Sequence, residues 1–234
     1  MKVDLAGKFP QGILGIIKLA GKIADTKGIA IYIVGGVVRD ILLGMPNYDL
    51  DFVVEGDAIE FSGILNGALK GDLKVHRAFG TATINYNNHR IDIVTARSES
   101  YKKPAAYPEV EPGTIKEDLF RRDFTINAMA ISINDKGFGD VVDFYSGLKD
   151  LKKKAIRVMH PRSFIDDPTR VFRAVRFSAR FGFKIEPHTK SLIKEAVSEG
   201  LLGEVNRGRI NKEIELFLKE EQPLKCLKAF YNLI

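Results

Sequence analysis

The chain has 234 residues, 45% of them apolar, one cysteine and a net charge of +6, which fits one large domain or two small ones around an ordinary core. Cys226 alone cannot form an internal disulfide, and His76, His89, His160 and His188 lie too far apart for the short pairings of a structural zinc site. The N-terminal segment MKVDLAGKFPQGILG carries an early acid and no long apolar run, and nothing later approaches 18 apolar residues, so we expect no signal peptide, no membrane span and a cytoplasmic location.

The charge is unevenly placed. Residues 1–120 carry 14 basic and 15 acidic side chains, whereas residues 121–234 carry 22 and 15. A basic second half fits a phosphate-rich partner as well as it fits a solvated helical surface.

In chain order, residues 11–27 read as an amphipathic helix, and the β-rich run 29–34 leads to Gly35-Gly36. A short helix over 37–43 follows. Met45-Pro46-Asn47 breaks it, and DLDFVV (49–54) reads as a second strand. A helix over 58–69 precedes two strands, 81–86 and 90–96, joined by the polar turn Asn87-Asn88-His89. The stretch 98–114 holds three prolines among polar residues and reads as a long loop. After NAMAISI, the pattern from about residue 162 is helical, with Pro168, Pro187 and Pro223 near helix starts. Mixed strands and helices predict an α/β or α+β layer over residues 1–155, followed by an all-helical region over 156–234.

Three features carry chemistry. Residues two apart on a strand share a face, so Asp49 and Asp51 present paired carboxylates suited to Mg²⁺; Asp92 on the neighbouring strand is the candidate third acid of a two-metal clamp. An Asp-x-Asp pair alone is weak evidence. Ten residues upstream, Gly35-Gly36 closes a strand and opens a helix, where free N–H groups and the helix dipole attract phosphate, with Arg39 on the first turn as a bidentate grip. Asp40 is expected to pair with a neighbouring base. On the helix after Asp166-Asp167-Pro168, Arg170, Arg173, Arg176 and Arg180 form one stripe, with Val171, Phe172, Val175 and Ala179 anchoring the other side. Four like charges at such spacing repel, so the stripe is expected to face a polyanion.

With these residues in view, the sequence resembles class II tRNA nucleotidyltransferases (CCA-adding enzymes) and the related bacterial poly(A) polymerases. The likeness rests on GGVVRDILLG, DLDFVV, RIDIVTAR, RRDFTINAMAI (121–131) and DDPTRVFRAVRFSARFGF (166–183), in the family's order. It implies an α+β fold: a polymerase-beta-like nucleotidyltransferase head with a mixed sheet of about five strands, followed by an all-helical neck. It implies that Gly35, Gly36 and Arg39 contact the nucleotide and that Asp49 and Asp51 bind Mg²⁺, with Asp92 as third acid. It further implies that Arg122 contacts ribose or phosphate, that Asp123 and Asn127 brace that turn, and that Arg173 and Arg176 lie near the triphosphate.

Asp167 and Arg170 match the pair that reads the base: a carboxylate accepting from the amine of cytosine or adenine, a guanidinium donating to a ring acceptor. Uracil and guanine put a carbonyl where the amine should be, an unmatched pair costing about 1–3 kcal/mol. The implied partners are ATP, CTP and the 3′ end of tRNA. A-adding, CC-adding and poly(A)-adding relatives share these motifs, and PAAYPEV resembles the A-adding or CC-adding type as much as the full CCA type. Family members usually carry further helices, which implies a piece of a longer enzyme. The alternative from another class, a non-catalytic RNA-binding module, would be expected to lose the carboxylates, all of which are present.

Overall fold

The computed structural model describes residues 1–233. Its internal contacts separate two interleaved units: Met1–Ser98, Glu111–Arg121 and Asn127–Tyr145 in the first, and Glu99–Val110, Arg122–Ile126 and Ser146 onward in the second. The chain thus crosses between units several times, not once near residue 155.

In the first unit, α1 (Gln11–Lys27) buries Ile13, Ile16, Ile17, Ala20 and Ala24, spaced three or four apart, and stops at Gly28 in the left-handed conformation. A Cβ on Gly21 would come within 1.9 Å of the Ile133 carbonyl, so the helix lies directly on backbone there. Then follow β1 (Ile31–Val34), α2 (Gly36–Leu42), β2 (Leu50–Val54), α3 (Ala58–Leu69), β3 (Asp72–His76), β4 (Thr81–Tyr86) and β5 (His89–Thr95). Asn87 and Asn88, at φ +48° and +61°, make the two-residue turn that suits the twist of the β4–β5 hairpin. Strands β6 (Arg97–Ser100) and β7 (Glu109–Pro112) form a small separate ribbon, and α4 (Ile115–Phe120), β8 (Ala130–Ser132) and β9 (Val141–Val142) follow. A Thr114–Glu117 capping box starts α4.

The sheet has seven strands in the order β3-β4-β5-β2-β1-β8-β9, antiparallel except for the parallel pair β2–β5. Alternation puts buried Leu50, Phe52, Ile91 and Ile93 on one face and Asp51 and Asp92 on the other.

The second unit contains α5 (Gly147–Lys152), β10 (Ala155–Ile156), α6 (Ser163–Asp166), α7 (Arg170–Phe181), β11 (Lys184–Ile185), α8 (Pro187–Ser198), α9 (Arg207–Leu218) and α10 (Pro223–Tyr231). Pro187 and Pro223 occupy first helical turns, where the missing N–H costs nothing. Phe172 of α7 meets Phe217 of α9 at 6.1 Å and stacks on Phe230 of α10 at 4.9 Å, and Phe177 meets Phe124 edge-on at 6.0 Å. None of the helices described is long and apolar enough to cross a membrane.

Three expectations are corrected. The sheet has seven strands, not about five. Among the strands missed is β3, a polar edge strand (DLKVH) largely exposed and paired only with β4, so it carries no apolar alternation to read. The stretch 98–114 is a loop only between β6 and β7. The region after residue 156 is not all helical, because the two-residue strands β10 and β11 pair in parallel within the second unit.

Candidate active site

The glycine turn is built from backbone upward. Gly35 sits at φ +81°, ψ −140°, a region closed to residues with a Cβ, and this lets α2 begin abruptly after β1. Arg39 and Asp40 on α2 are both buried. The Arg39 guanidinium donates to Asp40 Oδ1 at 2.8 Å and to Asn127 Oδ1 at 2.6 Å. Asp40 Oδ2 in turn accepts from the Asn47 amide at 2.8 Å, and Asn47 Oδ1 accepts the backbone N–H of Asp49 at 3.0 Å. A continuous chain of bonds, Asn127–Arg39–Asp40–Asn47–Asp49, therefore ties the glycine turn to the start of β2. The base expected to pair with Asp40 is Arg39 itself, so this guanidinium braces the turn. Asn47 was not foreseen; the Pro46-Asn47 break was its only signal.

The carboxylates lie along that strand. Asp49 is exposed just before β2, and Asp51 and Asp92 are register partners across β2–β5, half-exposed on strands about 4.8 Å apart. Thr83 is the partner of Asp92 on β4, so Thr83, Asp92 and Asp51 form one row. Asp92 is already engaged: Oδ1 accepts from Thr83 Oγ1 at 2.6 Å, and Oδ2 from Arg90 Nε at 2.8 Å. The hydrogen bond to Asp92 holds the Arg90 guanidinium above its ordinary pKa, with Asp51 and Asp49 adding to the effect, so one cation answers to all three acids.

Arg90 was not foreseen either, although its place two residues before Asp92 puts it on the same face. Among the described residues, no three acidic, histidine or cysteine side chains converge to hold a metal ion. Asp92 is engaged on both oxygens by side-chain donors, and Asp49 and Asp51 are oxygen donors of the hard kind that Mg²⁺ accepts alongside water and phosphate.

In the second unit, α7 buries Val171, Phe172, Val175 and Ala179 as expected, but its arginines do not form a free stripe. Arg170 is buried and donates to Ser163 Oγ at 2.7 Å. Arg173 closes a fork on Asp123 Oδ2 at 2.8 and 2.6 Å, while Asp123 Oδ1 accepts the Phe124 N–H. The same guanidinium lies 3.8 Å from Glu213, as does that of buried Arg176, which also reaches Glu220 at 3.4 Å. Asp123 holds the Arg173 pKa up, and burial pushes the Glu213 carboxyl up against the pull of Arg173 and Arg176.

The repulsion read from the sequence is thus relieved by Asp123, Glu213 and Glu220, carboxylates 40 to 50 residues away that no local pattern reveals. Arg122 stands half-buried beside Asp123 in the RRDF segment. Asp167, between α6 and α7, accepts on Oδ1 from the Thr169 backbone, from Thr169 Oγ1 and, unforeseen, from Arg209 of α9 at 2.7 Å.

Residues 31–157 match the family described as Poly A polymerase head domain. The A-adding tRNA nucleotidyltransferase of Aquifex aeolicus (strain VF5) is 52% identical over 201 residues, covering 85% of this chain and 24% of its own length. That of Geobacter sulfurreducens is 43% identical over 93% of this chain and 25% of its own, and the CC-adding tRNA nucleotidyltransferase of Deinococcus radiodurans 36% identical over 82% and 50%.

Among solved structures, a CCA-adding enzyme in apo form superposes with a TM-score of 0.94 at 46% identity, covering 98% of this chain and 54% of that one. A tRNA nucleotidyltransferase complexed with a primer tRNA and an incoming ATP analog superposes at 0.84 with 46% identity, covering 92% and 60%. The chain spans between a quarter and a half of the length of these curated relatives.

Proposed function

The chain belongs to the Poly A polymerase head-domain family, shared with tRNA nucleotidyltransferases, and on that premise we propose that it transfers adenylate from ATP to the 3′ end of tRNA. The observation that carries this reading is the 52% identity with an A-adding enzyme over 85% of the chain. The paired carboxylates Asp49 and Asp51 beside the braced Gly35-Gly36 turn supply the chemistry it needs.

In the reaction, the terminal RNA hydroxyl attacks the α-phosphate of ATP and pyrophosphate leaves. Mg²⁺ held by Asp49 and Asp51 would supply Lewis-acid stabilisation of the charge that develops on the reacting oxygens. Gly35, Gly36 and the first-turn N–H groups of α2 meet phosphate, kept in shape by Arg39, Asp40 and Asn127. In the second unit, Asp167 accepts from the adenine amine and Arg170, held by Ser163, donates to a ring nitrogen. Arg122 meets ribose or phosphate, while Arg173 and Arg176, matched by Asp123, Glu213 and Glu220, hold α7 in place beside it.

A second reading, full CCA addition from CTP and ATP, is favoured by the TM-score of 0.94 with a CCA-adding enzyme. To separate them, tRNA ending before CCA, after C or after CC is offered with magnesium and one nucleoside triphosphate at a time. The A-adding reading expects one residue added to the CC-ended tRNA from ATP alone. Extension of the shorter tRNAs from CTP together with A addition to the CC-ended tRNA from ATP selects the CCA reading, extension from CTP alone a CC-adding enzyme, and binding of tRNA without incorporation in any arm an RNA-binding module.

A further inference from the structure

Asp167 Oδ1 is crowded with donors: the Thr169 N–H at 3.0 Å, Thr169 Oγ1 at 2.6 Å and Arg209 Nη2 at 2.7 Å. No donor among the described residues reaches Oδ2 in these contacts. Three donors on one oxygen fix the rotation of the carboxylate and leave the other oxygen as the acceptor on offer.

The Thr169 bonds are local and travel with the start of α7. Arg209 arrives from α9, 42 residues on, and therefore sets Asp167 against the body of its unit. Its other nitrogen, Nη1, donates to the Ala105 carbonyl at 2.9 Å, and the guanidinium carbon lies 5.6 Å from the Tyr107 ring centre. Ala105 is held at φ +57°, a conformation that a residue with a Cβ keeps only when its surroundings fix it. Those surroundings are Arg209 on its carbonyl and the Ile165 carbonyl on its N–H at 3.2 Å. One planar fork thus joins α9, the loop between β6 and β7 and Asp167, a bridge that the single ammonium of lysine cannot make to two acceptors in fixed geometry.

We propose that Arg209 is the positioning residue that orients Asp167 for base selection, its fork holding Oδ1 so that Oδ2 meets the exocyclic amine. This rests on the base-reading role given to Asp167 above. The guanidinium does not touch the nucleotide; it acts through the carboxylate it holds.

The test measures dissociation constants of ATP and GTP by calorimetry, in magnesium, for the wild-type chain and for Asp167→Ala, Arg209→Ala, Arg209→Lys and the Asp167→Ala/Arg209→Ala double variant, with thermal unfolding of each. Wild type is expected to prefer ATP and Asp167→Ala to lose the preference. Arg209→Ala and Arg209→Lys should each narrow the ATP/GTP ratio by about tenfold, the equivalent of about 1.4 kcal/mol, with Arg209→Lys still cooperatively folded. In the Asp167→Ala background, removing Arg209 should leave the ratio where it is.

If both Arg209 variants keep the wild-type ratio, or weaken ATP and GTP equally, Arg209 is structural only and the proposal falls while the base-reading role stands. A lysine that restores full discrimination overturns the bridge in favour of a point charge. If Asp167→Ala keeps the wild-type ratio, the base-reading role fails and takes the proposal with it.

Discussion

On the sheet of the first unit, Asp49 is exposed, Asp51 and Asp92 are half-exposed, and Arg90, a guanidinium on which all three act, has 70% of its side chain in solvent. On α7 of the second unit, Arg170 and Arg176 are buried and the carboxylates that meet the arginines, Asp123 and Glu213, are buried with them. The difference separates two uses of charge. Solvated carboxylates cost little to leave waiting and change partners readily, so they suit a cation that arrives with its substrate. Buried pairs cannot be left half-made and therefore hold a fixed geometry.

The comparison breaks first, and with the largest expected effect, at the carboxylates. Asp49→Ala and Asp51→Asn should each lower nucleotide incorporation by about 10³-fold or more, since a stabilisation of several kcal/mol is at stake. Their unfolding midpoints should stay within about 0.5 kcal/mol of wild type, as for other substitutions of solvated groups. Activity surviving both changes would show that the exposed acids are mere surface charge.

A smaller effect is expected from Asp123→Ala, and of the opposite kind. It removes the carboxylate that receives both bonds of the Arg173 fork, leaving a guanidinium 32% exposed with Glu213 at 3.8 Å and the Phe177 ring at 5.4 Å beside it. That exposure moderates the penalty to about 2–3 kcal/mol in urea unfolding, below the range for a fully buried pair. A variant as stable as wild type would mean that α7 owes its placement to its phenylalanines and not to its ion pairs.

These two regions also mark what was legible in the sequence. Helices α1 and α3 and strands β4 and β5 match the sequence reading to within a residue or so, because each carries its own period and the Asn87-Asn88 turn punctuates the hairpin. The row containing Asp51 and Asp92 followed from alternation along two such strands. What failed was whatever depended on a partner far along the chain. Glu213 and Glu220 turn the arginine stripe inward, and Arg209 takes one oxygen of Asp167. Strand β3 failed for a related reason, since an edge strand with no buried face owes its existence to β4 and not to its own residues.

The smallest expected effect sharpens the comparison from the side of pH. If the second unit is arranged around positive charges that are already matched, a further one should be unwelcome there. Burial, followed by the Arg170 charge, holds the His160 imidazole below its ordinary pKa of 6.5, against the opposing pull of Asp166 and with Arg162 adding slightly to the depression. The unfolded chain therefore takes up this proton at a higher pH than the folded chain does. Stability from this residue is complete above about pH 6.5, declines as pH falls through the window down to the lowered folded value, and is then level. His160→Gln, which removes the titrating group, should flatten the dependence of the urea midpoint between pH 7.5 and 5.5 by a small but measurable amount, while Arg170→Ala, by removing the second cause of the depression, should narrow the window. An unaltered slope in His160→Gln would place the acid sensitivity in other groups and would show that this interior accepts one more cation without cost.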